Sequence, residues 1–426
     1  MQRLAWRWAL LGAAWIAAQA QALEFEIYQR TQQPPAVALL VRAPDAKAGQ
    51  TLRRIVERDW KISQALDPID PMLFIADEDE TWKQPVYADW RIIGADALVL
   101  ARVEKRNEKL FVAVQVHDPF RMREIRRSEL FATDLADAAH AIADVAFAAI
   151  VGIPGHFRSR LIYVRRTKLG DWLVQARSNG DAPRIIAGPF SILLSPDPAP
   201  KGDAIAATVF VHGKPRVVRI ALDTKQSETI AAFEGLNSTP AFSPDGRHLA
   251  LTLSRQGNVD IYLVDLATHE WKRLTRSRAI DTSPTFAPNG RAIAFVSNRS
   301  GSPQIYRLDL ATGKIERITH EGRYNTAPAW SPRGDRIAYV AMKDFRFAIA
   351  TIRPDGSELR YLVEGTRIES PAWTPNGWMI AYAREENGWR RIELIPAQGG
   401  RPVILTRRNE NASDPAWLPP AKRPTQ

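Results

Sequence analysis

The chain has 426 residues, room for two or three domains, and its 45% hydrophobic and 25% charged residues are the balance of a globular protein, not a disordered one. It contains no cysteine, which excludes disulfides and thiol chemistry. The net charge of +11 comes from basic residues scattered along the chain, which fits an acidic protein partner, an anionic lipid surface or solubility better than nucleic acid.

Residues 1–22 read as a signal peptide. Arg3 and Arg7 supply a basic start, and Trp8 to Ala18 is an apolar run too short for an ordinary membrane span. Ala20-Gln21-Ala22 then fits a small-residue cleavage site, with Leu23 as the first mature residue. No later stretch reaches transmembrane length, so the mature protein is expected to be exported and soluble. The stretch LEFEIYQRTQQPP follows, with Leu23, Phe25 and Ile27 alternating against Glu24 and Glu26. That is strand periodicity with one wet face: either the first strand of the next domain, or a strand that pairs with the open sheet edge of a partner.

Residues 23–152 are expected to form a small α/β domain. Ala36 to Val41 reads as a strand, and Gln50 to Ile62 as a helix burying Leu52, Ile55, Val56, Trp60 and Ile62. ADEDE, Ala76 to Glu80, reads as a solvated acidic loop. Ala97 to Glu104 and Leu110 to His117 look like paired strands. Asp134 to Val151 is the clearest helix, with Leu135, Ala138, Ile142, Val145 and Ala149 on one face and Gly152 and Pro154 ending it. Residues 153–160 are a short linker.

A repeat then begins. A turn proline recurs at Pro196, Pro244, Pro288, Pro332, Pro375 and Pro419, at spacings of 48, 44, 44, 43 and 44 residues. Another proline precedes it by four residues at Pro240, Pro284, Pro328, Pro371 and Pro415. Strand-like repeats with periods in the forties point to propeller blades. In the repeat opening at Pro284, strand one is Pro284 to Ala287, and Pro288-Asn289-Gly290 turns the chain. Strands two, three and four are Ala292 to Ser297, Gln304 to Leu310 and Lys314 to Thr319. AIAFV is apolar on both faces, as a sheet stacked between two others requires.

The last repeat offers a single strand, AWLPP, and its three missing strands lie before the first motif, at Leu161 to Val164, Trp172 to Ala176 and Pro183 to Ala187. Five complete repeats and one split repeat make a six-bladed β-propeller over residues 161–420, closed by pairing of the C-terminal strand with the first blade, with 421–426 as a tail. The fold class is therefore multidomain, α/β followed by all-β.

ALTLSRQGNVDIYLVDLAT, SNRSGSPQIYRLDLATG and EGRYNTAPAWSPRGDRIAYV resemble the propeller repeats of the TolB family, periplasmic components of the Tol–Pal system. DWRIIGADALVLARV and AHAIADVAFAAIVGIPGHFRSRLIYV resemble the end of that family's N-terminal domain and its entry into the propeller. The resemblance implies a non-enzymatic periplasmic scaffold without cofactor or metal. It would bind the peptidoglycan-associated lipoprotein Pal at the propeller mouth and TolA through the mature N-terminus, Leu23, Phe25 and Ile27. Other envelope proteins join as candidate partners, and nucleic acid does not. The protein would be peripheral to the outer membrane through its partners, supporting membrane integrity and constriction at cell division.

Loops joining strand four of one blade to strand one of the next converge on one mouth. There the expected partner-binding residues are Asn237, Thr239, Asp281, Thr282, Tyr324, Asn325, Glu369 and Asp414. Ser283 stands where relatives often have glutamate, and Leu236 where some have histidine. The alternative is a propeller sensor, or a hydrolase or lyase, acting on a small envelope ligand. The six blades consume the chain after Gly152, no G-x-S-x-G elbow is present, and the seven histidines do not recur at one blade position.

Overall fold

A computed structural model describes residues 33–407 and 410–419. The signal peptide and Leu23, Phe25 and Ile27 lie outside the described residues. Two compact units divide between Ile153 and Pro154.

The first unit is a five-stranded sheet with helices. In chain order it comprises β1 (Ala36–Arg42), α1 (Ala46–Ser63), β2 (Asp67–Pro68), α2 (Glu78–Lys83), α3 (Tyr87–Ile92), β3 (Ala97–Arg106), β4 (Lys109–Asp118), β5 (Arg123–Ala132) and α4 (Leu135–Val151). The sheet order is β2-β1-β3-β4-β5, with β1 parallel to both neighbours and the rest antiparallel. Asp45 caps α1 by accepting from the Ala48 amide at 2.8 Å, and Asp134 caps α4 by accepting from Asp137. Leu52, Ile55, Val56, Trp60 and Ile62 are buried, as the helical spacing requires.

Three details differ from the sequence reading. The buried face of α4 is Ala138, Ala139, Ile142, Ala143, Ala146, Phe147 and Ile150, while Leu135, Val145 and Ala149 are half-buried. The helix is gripped by α1 on one side and by β4 and β5 on the other, so it buries a wider arc than one stripe. His140 Nδ1 meets Asp59 Oδ2 at 2.6 Å inside the α1–α4 contact, both side chains buried. The acidic run is partly helical: Asp77 caps α2, and Glu78, Asp79 and Glu80 sit in its first turn, where the helix dipole favours negative charge. The strand β5, REIRRSELFA, has no counterpart among the expected elements. It is an edge strand exposed along most of its length, so it lacks apolar alternation.

The second unit is a ring of six four-stranded antiparallel blades. The innermost strands are Ala412–Leu418, Leu193–Pro198, Asn237–Phe242, Asp281–Phe286, Asn325–Trp330 and Arg367–Trp373. They open blades 1 to 6 in that order, blade 1 drawing its other strands from Arg160–Thr167, Gly170–Arg177 and Arg184–Phe190.

Stacking divides each second strand between two cores. In Ala292–Ser297, Ile293 and Phe295 pack with Ala250 and Ile261 of blade 3. Ala294 and Val296 pack with Ile337 and Tyr339 of blade 5. The apolar run is therefore a strand with no wet face. At about 25 cal/mol per Å² of apolar surface, such doubly buried strands dominate the stabilisation of the ring.

Closure uses the last described strand. Ala412 pairs with Arg165, Ala416 with Ile162 and Leu418 with Arg160. Tyr163 donates from its hydroxyl to Glu410 at 2.8 Å, and Arg165 pairs with the same carboxylate at 3.1 Å.

The inner strands begin three residues before the position expected from proline, four in blade 6. Asp281–Phe286 starts upstream of Pro284, not at it. In every blade the residue before this proline position lies in the left-handed region: Ser195, Thr239, Ser283, Ala327, Ser370 and Asp414, with φ between 46° and 55°. In blade 2 the proline so placed is Pro196, which the sequence spacing assigned to the turn; the turn proline there is Pro200, which packs against Gly246 as Pro244 does against Gly290, so the irregular first spacing disappears. The ladder slips there, as Ser238 faces Thr252 while Ala241 faces Ala250. Each proline thus occupies a bulge, where its missing amide hydrogen breaks no ladder bond.

Candidate partner-binding face of the propeller

The connections from strand four to strand one, and from strand two to strand three, emerge at the same end of every antiparallel blade. All the expected residues but Tyr324, which lies on the loop just before Asn325, reach this end from the strand starts, and they divide into a buried and a half-exposed set.

Asn237, Asp281 and Asn325 occupy the same position, the first residue of an inner strand, and all three are buried. Asn237 donates to the carbonyls of Phe233 at 2.7 Å and Gly235 at 3.2 Å and accepts from the Phe233 amide. Asn325 donates to Gln304 Oε1 and the Glu321 carbonyl, both at 2.8 Å. Asp281 accepts from the Arg299 guanidinium through both carboxylate oxygens, at 3.1 and 2.9 Å. Sequence placed these three in loops; the structure places them beneath the loops, holding them in shape. A short polar side chain at a strand start is what a turn carbonyl needs, and that signal is the same for recognition and for support.

The other five reach the rim. Thr239 donates its amide to Thr208 Oγ1 of blade 2 at 3.0 Å, and its hydroxyl meets Thr252 at 2.7 Å. Thr282 is half-buried. Tyr324 is 37% exposed and packs edge-on to Phe347, ring centroids 6.0 Å apart. The Glu369 side chain is half-exposed and pairs with Arg390 at 3.4 Å. Asp414 accepts from the Ser195 amide of blade 2 at 3.2 Å.

Two carboxylates, Glu369 of blade 6 and Asp414 of blade 1, lie close enough to affect each other. Burial holds the Glu369 carboxyl above its usual range; Arg390 opposes this and Asp414 adds to it. Burial also raises Asp414, opposed by the hydrogen bond it accepts from the Ser195 amide. Asp197, on the blade 2 inner strand, is pushed up to about 7 by burial, against the bond it accepts from the Phe242 amide at 2.6 Å.

Sequence reasoning missed the second-to-third-strand hairpins, whose tips share this end. Leu169, Ile192, Ile280, Tyr324, Phe345 and Trp389 are exposed there. The connections at the opposite end carry no exposed large apolar residue among the described residues. The hairpin signal was present, because each repeat has a polar loop between strands two and three. Among the described residues no group of three or more histidine, aspartate or glutamate side chains is placed to hold a metal. No helix among them is long and apolar enough to cross a membrane. This face can therefore be read chemically as a polar rim studded with apolar tips, the composition of a recognition surface.

Residues 147–421 match the family described as TolB beta propeller domain, and residues 23–125 the TolB amino-terminal domain. The Tol-Pal system protein TolB of Alkalilimnicola ehrlichii is 39% identical over 158 residues, 36% of this chain. That alignment spans 37% of the relative's length. The crystal structure of TolB from Acinetobacter baumannii superimposes with a TM-score of 0.83 at 29% identity, covering 91% of this chain and 97% of that one.

Two outcomes are expected. Asp281→Ala leaves Arg299 without its carboxylate and should cost about 3 kcal/mol of stability. Glu369→Ala, at the half-exposed rim, should cost under about 1 kcal/mol; urea unfolding of both variants checks the contrast. The folded protein keeps the Asp197 proton to about pH 7, whereas the unfolded chain releases it near 3.8. That contribution is complete at acid pH and is lost as pH rises through this window. Asp197→Asn retains an acceptor for Phe242 and should match the parent at pH 4 but exceed its stability at pH 8, by up to about 4 kcal/mol. Denaturation curves at the two pH values measure it.

Proposed function

The chain belongs to the TolB family, and from that premise we propose that it is a non-enzymatic periplasmic scaffold of the Tol–Pal system. Its propeller rim binds a Pal-type lipoprotein. Its mature N-terminus, with Leu23, Phe25 and Ile27 on one side of a strand, binds a TolA-type partner by adding to that partner's sheet. It is held near the outer membrane through these partners and supports membrane integrity and constriction at division.

The observation that carries the reading is the asymmetry between the two ends of the ring. Among the described residues the five exposed large apolar side chains on the connections, with Trp389 at a strand start, lie at one end, near Thr239, Thr282, Glu369 and Asp414; the other two of the propeller, Ile185 and Ile404, lie on fourth strands. Asn237, Asp281 and Asn325 stiffen that rim from below, so little ordering entropy is left to lose on docking. A scaffold needs a preorganised surface, whereas a catalyst needs a nucleophile or an acid–base pair aimed into a cleft.

Calorimetric titration of the mature protein with the soluble domain of the organism's own Pal-type lipoprotein tests the rim. Saturable binding is expected, and Thr282→Trp should weaken it about tenfold or more without lowering the melting temperature. Absence of binding by the parent protein would overturn the reading. Deleting residues 23–35 should abolish binding of the TolA-type domain and leave the lipoprotein titration in place.

A further inference from the structure

Three hairpins of the ring are closed by the same two-residue turn. In blades 2, 5 and 6 the flanking pairs are Val211 with Lys214, Lys343 with Arg346, and Glu386 with Trp389. Both turn residues are left-handed: His212 and Gly213 at φ 49° and 76°, Asn387 and Gly388 at 52° and 79°, Asp344 and Phe345 at 48° and 61°. Such turns favour glycine at the second position, because a side chain there crowds the backbone. Two of the three hairpins obey. The third has Phe345, and its side chain is 98% exposed.

Phe345 therefore carries two unfavourable terms together, a bulky residue in the left-handed region and a phenyl ring in water. Neither is offset inside the chain. Its neighbours extend the apolar surface: Phe347, two residues on, packs against Tyr324 of the rim. An unrepaid local cost at a recognition face points to a contact made outside the chain.

We propose that Phe345 is the anchor by which this face grips its protein partner, a surface that is acidic around an apolar socket. The inference rests on the reading of this end as a docking face and adds its specificity determinant. The charge sign comes from the surrounding connections. Lys168, Lys214, Arg276, Arg278, Arg323 and Arg346 are exposed there and make no ion pair among the described residues. Their unpaired acidic counterparts are Glu234, Glu321 and Asp344. A folded protein is favoured over a lipid surface as the occupant because the apolar tips share this end with part-exposed ion pairs, Arg390–Glu369 and Arg367–Glu385. Directional donors and acceptors of this kind are matched by a structured partner and not by a fluid headgroup layer.

The test compares the parent protein with Phe345→Gly and Phe345→Leu in titrations with the same soluble lipoprotein domain, at low and high salt. Phe345→Gly suits the turn, so its melting temperature should not fall, while its affinity should drop about tenfold or more. Phe345→Leu should keep part of the affinity, and raised salt should weaken the parent complex. Parent binding with Phe345→Gly within about twofold overturns the anchor and leaves the docking reading standing. No parent binding overturns both. Parent binding to vesicles of equal phosphatidylglycerol and phosphatidylethanolamine that is lost in Phe345→Gly, with lipoprotein binding unchanged, assigns the residue to a lipid surface and overturns the proposal.

Discussion

The pairing of Ala412–Leu418 with Arg160–Thr167 is the interaction on which the rest of the propeller depends. Without it, blade 1 would present an unpaired edge at its inner side and the ring would be an open stack. There are no cysteines to hold the ends together, so closure rests on ladder hydrogen bonds and on the apolar cores between blades. Ala416 and Leu418 join Ile162, Val164 and Leu173 in the core shared with Leu193, Ile205 and Ala207 of blade 2. The closing strand is therefore part of an interblade core as well as a sheet edge. Tyr163 and Arg165 meeting at Glu410 add a polar clasp across a sequence separation of 247 and 245 residues.

Closure makes a rim, and the bulges make it rigid. At three of the six bulges the left-handed residue donates its amide across to the neighbouring blade. Thr239 donates to Thr208 and Ser283 to Thr252, each reaching into the preceding blade, and Ser195 reaches Asp414 in the same way. Three inner strands are thus tied to the preceding blade, two through a threonine of its second strand and one through Asp414 of its inner strand, and buried asparagine and aspartate side chains pin the loops above them. The face so formed presents charge and apolar tips on a hydrogen-bonded frame.

Much of this was legible in the sequence because it repeats. The proline spacing fixed six units, and the single strand at the end of the chain matched three orphan strands before the first repeat, so closure could be read. The strand starts could not. A proline inside a strand ordinarily marks its beginning, and only the left-handed residue before Pro284 shows that the ladder continues through a bulge. The same displacement moved Asn237, Asp281 and Asn325 from loops into strands. In the first unit the amphipathic elements were readable and β5 was not, because an exposed edge strand such as REIRRSELFA has no buried face to write a pattern. Phe345 was invisible for the opposite reason. One aromatic among many reads as core until its turn conformation and exposure are known.

Ring closure is tested most directly by a cross-link in this cysteine-free chain. Ser413 lies opposite Val164 across the closing ladder. If the ring closes through that ladder, Val164→Cys with Ser413→Cys forms an intramolecular disulfide on mild oxidation of the folded protein, and the oxidised form unfolds at higher urea than the reduced one. Two thiols that stay free and react independently with a maleimide in the folded protein would contradict closure, and with it the common rim.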